Sequence, residues 1–112
     1  PYPHFREALY AATGLEIGVP EMLLIGERNF NMLKLAAARQ GYTRTDDGLP
    51  ARLREPLPRG NSAHEAIPEN VLQAAIDEYY KLRGWDDYGP TDEKLAQLGM
   101  RDFIGLVERG DQ

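Results

Sequence analysis

One stretch of the sequence, from Pro20 to Gln40, constrains the fold more than any other. Proline is well tolerated in the first turn of a helix, and Gly41 stands where a helix would end. In between, apolar residues recur at intervals of three and four, which is the period of an α-helix. The main apolar stripe is Leu23, Gly26, Phe30, Leu33 and Ala37, widened by Met22, Ile25, Met32 and Ala36. Because a helix that is apolar on so many sides normally lies between neighbours, we predict one long buried helix.

Weaker helical signals lie on both sides of this stretch. Apolar residues with helical spacing predict one helix over His4–Ala12 and another over Pro68–Leu82. A short helix is predicted from an N-cap at Thr91 to Gln97, and a last one over Arg101–Glu108. No stretch alternates apolar and polar residues as a half-buried strand does. We therefore predict an all-α fold, an irregular multihelical domain of about five helices that takes up residues 1–112.

The residues between the two longest predicted helices, Gly41–Ala66, form a long proline-rich crossing loop. Pro50, Pro56 and Pro58 forbid a long helix here, because proline lacks an amide hydrogen and clashes with the preceding turn. At most, Ala51–Arg54 makes one short helical turn. Loops of this length are uncommon in compact domains and often pack on a partner or carry function.

Charge and composition exclude several classes of function. The formal net charge is −5 and the cations are scattered, so we expect no nucleic-acid partner. The chain has no cysteine, which excludes a disulfide scaffold, a thiolate metal site and a cysteine nucleophile within these residues. No apolar run reaches the length of a membrane span and no signal peptide is visible, so we expect a cytoplasmic protein without a membrane partner.

Few residues have the spacing of a catalytic or metal site. His4 and His64 lie in different segments, and neither has an acid or a second histidine at ligand spacing. The acid pairs Asp46–Asp47 and Asp86–Asp87 lack the pattern of a calcium loop, so turn formation explains them better. We therefore predict no catalytic, metal-binding or cofactor-binding residue, and no bound cofactor, in this part of the chain.

Four polar residues interrupt the long apolar helix, namely Glu27, Arg28, Asn29 and Asn31. Two interpretations compete. These residues pair with one another and with the crossing loop, or they face a cavity in a larger protein. We favour pairing, since buried charges usually have partners.

Two further clusters are interpreted structurally. We predict that an arginine clamps the crossing loop through charge-assisted bonds to Asp46, Asp47 or backbone carbonyls, and the candidates are Arg28, Arg39 and Arg44. The aromatic cluster of Tyr79, Tyr80 and Trp85 lacks the basic groove of a base-stacking site, so we predict that it packs in the core.

Three stretches, taken together, resemble the tungsten-containing aldehyde:ferredoxin oxidoreductase family. Ile25–Asp47 has a Gly-Glu-Arg opening, an Arg-x-Gly end and an Asp-Asp pair. Leu49–Pro58 has Leu-Pro-x-Arg and Glu-Pro-Leu-Pro, and Asp77–Met100 has Tyr-Tyr-x-x-Arg-Gly-Trp followed by Pro-Thr, Lys-Leu and Leu-Gly-Met. The residues that carry the family motifs are Gly26, Glu27, Arg28, Asn31, Arg39, Gly41, Arg44, Asp46, Asp47, Tyr79, Tyr80, Arg83, Gly84 and Trp85.

The resemblance implies the C-terminal helical part of an enzyme that oxidises aldehydes to carboxylic acids. Enzymes of this family bind a tungsten bis-pterin and a cysteine-held 4Fe-4S cluster, and they pass electrons to ferredoxin or a similar carrier. In the family these groups are held upstream of the helical part. The resemblance therefore implies a scaffolding role beside the cofactor and the substrate channel, with the upstream cofactor-bearing domains of the same enzyme as partners.

Two alternatives stay open on the sequence alone, a free-standing helical interaction module and a subunit of a related benzoyl-coenzyme-A reductase-type enzyme. A homo-oligomer is compatible with each of them. The helix over Pro20–Gln40 is apolar on more sides than the shorter helices can cover. We expect Leu23, Phe30 and Leu33 to face those helices. The opposite side should be exposed in the separate chain and should pack on the rest of the enzyme, and it consists of Met22, Ile25, Asn29, Met32 and Ala36.

Overall fold

The computed structural model describes residues 2–56, 58–60 and 65–110, so His64 lies outside the described residues. The helices are α1 (Tyr2–Thr13), α2 (Val19–Arg39), α3 (Ala51–Arg54), α4 (Glu69–Arg83) and α5 (Asp92–Gln97). Two short strands, β1 (Trp85–Asp86) and β2 (Gly89–Pro90), form an antiparallel ladder between α4 and α5. Single 3₁₀ turns lie at Arg44–Asp46 and Arg101–Phe103. The prediction of an all-α, multihelical fold is confirmed.

The predicted helices are found close to their expected ends, with one exception. The last helix, predicted over Arg101–Glu108, is wrong beyond Phe103, where the chain makes only one 3₁₀ turn. Gly105 has a φ of +88°, a left-handed conformation that a continuing helix cannot contain. The β1–β2 ladder was not predicted, because two residues per strand are too few to show an alternating pattern.

Two caps fix the direction in which the chain leaves α4 and enters α5. Gly84 ends α4 with a φ of +73°, and a side chain at this position would meet Lys94 at 2.9 Å. The hydroxyl of Thr91 accepts a hydrogen bond from the amide of Lys94 at 3.1 Å, as expected of an N-cap. The ladder between these caps is therefore held at both ends.

The hydrophobic core lies against the C-terminal half of α2. Its buried members come from α2, α5 and the residues after α5, namely Leu35, Leu95, Leu98, Met100 and Val107. Gly89 brings β2 close to the same face of α2, because a side chain there would already touch the methyl group of Ala38 at 3.5 Å. The core therefore covers one side of α2 and only part of its length.

The predicted burial of α2 is wrong for the described residues. Only Asn31 and Leu35 of this helix are buried, and Leu23 and Leu33 are 52% and 69% exposed. A side chain at Gly26 would meet nothing within 4 Å, so the close approach that a helical glycine permits is not used here. α2 extends beyond the α5 region that packs on it. α1 likewise has no buried residue.

The described residues of the crossing loop are irregular, as predicted, apart from α3 and the turn at Arg44–Asp46. None of the described helices combines the length and the apolar character that a bilayer crossing requires.

Two glycine substitutions are expected to change stability in opposite directions. Gly26→Ala should raise the free energy of unfolding by about 0.5–1 kcal/mol, because alanine orders the helix at lower entropic cost and meets no neighbour. Gly84→Ala should lower it by about 1–2 kcal/mol, because the left-handed conformation disfavours a Cβ atom. Urea unfolding followed by the fluorescence of Trp85 measures both changes. Stabilisation by Gly84→Ala would contradict the left-handed cap.

Candidate functional site

A buried hydrogen bond between α2 and β1 organises the candidate site. Asn31 is 0% exposed, and its side-chain oxygen accepts a hydrogen bond from the indole N–H of Trp85 at 2.8 Å. Its amide group donates to the backbone carbonyl of Glu27, one turn earlier in α2, at 2.8 Å. Both ends of the Asn31 side chain are therefore satisfied, as a buried amide requires.

Three aromatic rings surround Trp85. Phe30 is stacked on it with a ring-centroid distance of 5.7 Å and an interplanar angle of 8°. Tyr79 and Tyr80 meet it edge-on at 5.7 Å and 5.5 Å. Offset stacked and edge-on arrangements are the ones that aromatic pairs prefer. Trp85 and Tyr80 are buried, which confirms the predicted core packing of this cluster, although Tyr79 stays exposed.

Three of the four polar residues of α2 are paired, as we favoured, but their partners differ from the predicted ones, and Asn29 is exposed. Arg83 at the end of α4 forms an ion pair with Glu27 at 2.6 Å, and its guanidinium lies 4.1 Å from the ring centre of Phe30. Arg28 donates to the backbone carbonyl of Leu98 at 2.6 Å. These partners belong to α4 and to the segment after α5, whereas the crossing loop was expected to supply them.

The crossing loop is joined to α2 and α4 by a cluster of Lys34, Asp47 and Tyr80. The Tyr80 hydroxyl donates a hydrogen bond to the Asp47 carboxylate and accepts one from Lys34 at 2.9 Å. The Lys34 ammonium lies 3.7 Å from Asp47 and 4.8 Å from the ring centre of Trp85. One lysine therefore contacts the crossing loop, α4 and β1 together.

Burial of the Tyr80 side chain raises the pKa of its hydroxyl well above the ordinary range, because the phenolate would lose its hydration. The hydrogen bond to Asp47 and the negative charge of that carboxylate raise the pKa further, and Asp87 adds to the effect. The positive charge of Arg44 acts in the opposite direction. Tyr80 is therefore neutral at physiological pH and acts as a hydrogen-bond donor to Asp47.

Of the three arginines proposed to clamp the crossing loop, Arg44 does so. Its guanidinium forms an ion pair with Asp77 of α4 and donates to the backbone carbonyl of Gln73 at 3.3 Å. Its acceptors lie on α4, whereas the predicted acceptor Asp47 is bound by Lys34 and Tyr80. Arg28 reaches the segment after α5 instead, and Arg39 is exposed.

Both acid pairs form turns, as predicted. Asp46 accepts from the amide of Thr43 at 2.8 Å, which closes a capping box around the 3₁₀ turn. Asp86 accepts from the amides of Tyr88 and Gly89 and also pairs with Arg109 at 2.5 Å.

Within the described ranges, no group of three or more His, Cys, Asp or Glu side chains could hold a metal ion. That the chain binds no cofactor stays a prediction.

A cleft of about 580 Å³ opens beside the aromatic cluster, between α2, α4 and the residues after Asp47. Its walls are apolar except at one end, where Lys34, Asp47 and Tyr80 meet. The residues that line it are Phe30, Lys34, Asp47, Gly48, Leu49, Leu72, Ala75, Ile76, Tyr79, Tyr80 and Trp85.

The structure brings some of the residues that carry the family motifs together around Trp85 and leaves the others apart. The residues around Trp85 and the cleft are Glu27, Asn31, Asp47, Tyr79, Tyr80 and Arg83. Arg44 joins them through α4, whereas Gly26, Arg39 and Gly41 lie on exposed surface. Lys34 was missed by the sequence analysis. It follows Asn31 by three residues, so helical spacing alone could have placed it on the same face.

Comparison with known proteins gives consistent matches. A family model described as aldehyde ferredoxin oxidoreductase, domains 2 and 3, matches residues 1–100. The tungsten-containing aldehyde ferredoxin oxidoreductase of Pyrococcus abyssi is 37% identical over 103 residues, covering 89% of this chain and 16% of that protein. The protein of the same name from Pyrococcus furiosus is 37% identical over 102 residues, covering 88% and 16%.

A further relative has a different name. The WOR-like subunit of an aliphatic sulfonate oxidoreductase from Pyrococcus furiosus is 38% identical over 67 residues, covering 59% of this chain and 11% of that protein. No solved structure matches. The chain thus spans about a sixth of the length of the aldehyde ferredoxin oxidoreductases that it matches, at 16%.

The contribution of Tyr80 to stability should depend on pH. At neutral pH, Tyr80→Phe should lower the free energy of unfolding by about 1–2 kcal/mol, because Asp47 and Lys34 lose a partner. The pKa of the Tyr80 hydroxyl is higher in the folded chain than in the unfolded chain, so folding favours the protonated hydroxyl. This contribution is complete below the unfolded pKa of about 10 and is lost as the pH rises toward the folded value.

Urea unfolding at increasing pH, compared between the wild type and Tyr80→Phe, measures this loss. The difference in unfolding free energy should shrink above pH ~10. Tyr42→Phe, at an exposed tyrosine, is the control and should cost little at neutral pH. If the difference in unfolding free energy between the wild type and Tyr80→Phe stayed constant into strongly alkaline solution, the hydrogen bonds of the Tyr80 hydroxyl to Asp47 and Lys34 would be wrong.

Proposed function

This chain belongs to the aldehyde ferredoxin oxidoreductase family, and we propose that it forms the C-terminal helical part of an enzyme that oxidises aldehydes to carboxylic acids. The family match over residues 1–100 carries this proposal. Relatives with the activity in their names are much longer, since the chain covers only 16% of them. The other domains of the same enzyme are therefore the partners that we propose for these helices.

For the intact enzyme we propose a tungsten bis-pterin and a 4Fe-4S cluster as cofactors, ferredoxin or a similar protein as electron carrier, and a cytoplasmic location. The described residues of this chain offer no ligand set for a metal ion. There is no cysteine to ligate an iron–sulfur cluster, and the described acids and histidines form no ligand group. The ligands must come from another part of the enzyme, and the helices described here supply its scaffold.

The distribution of apolar side chains supports the scaffolding role. Leu23 and Leu33 are more than half exposed, and Ile25 and Met32 on the neighbouring side of α2 are 43% and 40% exposed. α1 has no buried residue, and even its large apolar side chain Phe5 is 60% exposed. Large contiguous apolar surfaces usually mark a binding surface. We propose that α1 and the uncovered sides of α2 pack on the rest of the enzyme.

The expected division of α2 into an inner and an outer side needs one correction. Leu23 and Leu33 were assigned to the inner side, yet they are more exposed than Met32, which was assigned to the outer one. The face that contacts the core contains Asn31 and Leu35 instead. The surface that we propose for docking therefore includes Leu23 and Leu33 as well as Ile25 and Met32.

The gene region upstream of the codon for Pro1 tests the proposed enzyme. We expect it to encode, in the same reading frame, a Cys-x-x-Cys-x-x-x-Cys-like stretch and one further cysteine shortly before Pro1, as the family resemblance implies. Sequencing this region gives the answer directly. A start codon with a ribosome-binding signal immediately upstream of Pro1 would favour a free-standing helical module and would overturn the proposal.

The docking surface makes a separate prediction for the 112-residue chain. Separated from its partner domains, the chain should self-associate through the exposed sides of α2. Met32→Glu should weaken that association without lowering the free energy of unfolding, because it places a charge on an exposed apolar face. Sedimentation velocity and urea unfolding measure the two quantities.

Asn70→Asp is the matched control, since it adds the same charge at an exposed polar position of α4 and should leave the association unchanged. A stable monomer that Met32→Glu destabilises would show that Met32 belongs to the internal core, and the docking surface would then be wrong.

A further inference from the structure

The Asp47–Gly48 pair of the crossing loop can undergo a backbone reaction that is independent of the scaffolding role. It is the single place in the sequence where an aspartate or an asparagine precedes a glycine. An aspartate side chain in this position can react with the backbone nitrogen of the next residue, because glycine has no side chain that hinders the approach. The pair is therefore a candidate site for spontaneous rearrangement of the backbone.

The reaction converts aspartate into isoaspartate in two steps. The nitrogen of Gly48 attacks the carboxyl carbon of Asp47, a C–N bond forms, and the amide hydrogen leaves with the carboxyl hydroxyl as water. A water molecule then opens the resulting succinimide at one of its two carbonyl carbons. Attack at the side-chain carbonyl restores aspartate, whereas attack at the main-chain carbonyl leaves the backbone running through the side-chain carbon atoms. Neither step needs an oxidant or a reductant.

The nucleophile is accessible in the folded chain, but the geometry of Asp47 is unreactive. Gly48 is exposed, and its amide donates no hydrogen bond to any described residue. Asp47 has a ψ of 132°. Closure of the succinimide ring requires the Gly48 nitrogen and the Asp47 Cβ to be nearly eclipsed about the Cα–C bond, and this value of ψ keeps the two atoms far apart. The loop must therefore open locally before the ring can form.

Two contacts hold the Asp47 side chain in the unreactive arrangement. Its Oδ2 accepts the hydrogen bond of the Tyr80 hydroxyl and lies 3.7 Å from the Lys34 ammonium. Tyr80 is buried and Lys34 is only 17% exposed, so both partners are held in place by the helices that carry them. The ring also requires a χ1 away from the staggered values that side chains adopt. The carboxyl group must therefore turn away from both partners in order to react.

We propose that Asp47–Gly48 is a site of isoaspartate formation and that the contacts of Asp47 with Tyr80 and Lys34 set its rate. The closed loop is protected, and the reaction takes place in the fraction of molecules in which the loop has opened locally. The product has one more carbon atom in the backbone and a displaced carboxylate, so Tyr80 and Lys34 lose their acceptor. One reaction thus uncouples this part of the crossing loop from α2 and α4.

Peptide mapping of the aged chain tests the proposal. The 112-residue chain is incubated at neutral pH, and isoaspartate at residue 47 is measured by electron-transfer mass spectrometry after digestion. The rate should be much lower in the folded chain than in the same chain unfolded in guanidinium chloride. Tyr80→Phe should raise the rate in the folded chain about five- to tenfold, because loss of a hydrogen bond increases the open fraction by roughly this factor.

Controls separate the contacts of Asp47 from general effects of substitution. Tyr42→Phe, at an exposed tyrosine, should leave the rate unchanged. Asp87 is followed by the bulky Tyr88 and should form little isoaspartate in any variant. Gly48→Ala should suppress the reaction in the folded and the unfolded chain alike, because the added Cβ hinders the nitrogen and meets only the flexible end of Arg54.

Lys34→Met removes the ammonium and should also accelerate the reaction, and it decides the question if Tyr80→Phe does not fold. Equal rates in the folded and the unfolded wild type would overturn the proposal. A rate in the folded chain that neither variant changes would overturn it as well. The purified isoaspartate form should unfold at a lower urea concentration than the unreacted chain, and equal stability would show that the contacts of Asp47 are not lost.

Discussion

The hydrogen bond between Asn31 and the indole of Trp85 is the contact on which this side of the molecule depends. An amide withdrawn from water is costly unless both of its ends are bonded, and the position of Trp85 against α2 supplies one of the two bonds of Asn31. Once Trp85 is fixed, Phe30, Tyr79 and Tyr80 can meet it in favourable geometry. The orientation of α4 relative to α2 follows, because Trp85 comes directly after the Gly84 cap of α4.

The ion pairs extend this arrangement from one segment to the next. Glu27 of α2 meets Arg83 of α4, Lys34 of α2 meets Asp47 of the crossing loop, and Arg44 of that loop meets Asp77 of α4. Each pair joins two segments that are far apart in sequence. Exposed ion pairs contribute little to stability by themselves, but the cations of these pairs also lie over the rings of Trp85, Tyr80 and Phe30. The Lys34 and Arg44 pairs hold the first residues of the crossing loop against α2 and α4.

Helical periodicity predicted the helices well, because spacing and caps are local properties. It could not show which side of α2 is covered. The two apolar stripes satisfy the period equally, and yet the covered face contains Glu27, Asn31 and Lys34 beside Leu35. Polar residues lie on that face because their bonding partners, Arg83, Trp85 and Tyr80, approach from distant segments. The cleft was not predictable for the same reason, since its walls come from α2, α4 and the crossing loop.

The distance along the chain between the members of the core has a consequence for biosynthesis. Leu35 finds its partner Leu95 about 60 residues later, and Val107 later still. While the ribosome makes the intervening residues, α2 has emerged without the segments that cover it. The apolar side chain of Leu35 therefore stays uncovered until the C-terminal residues of the core have been made.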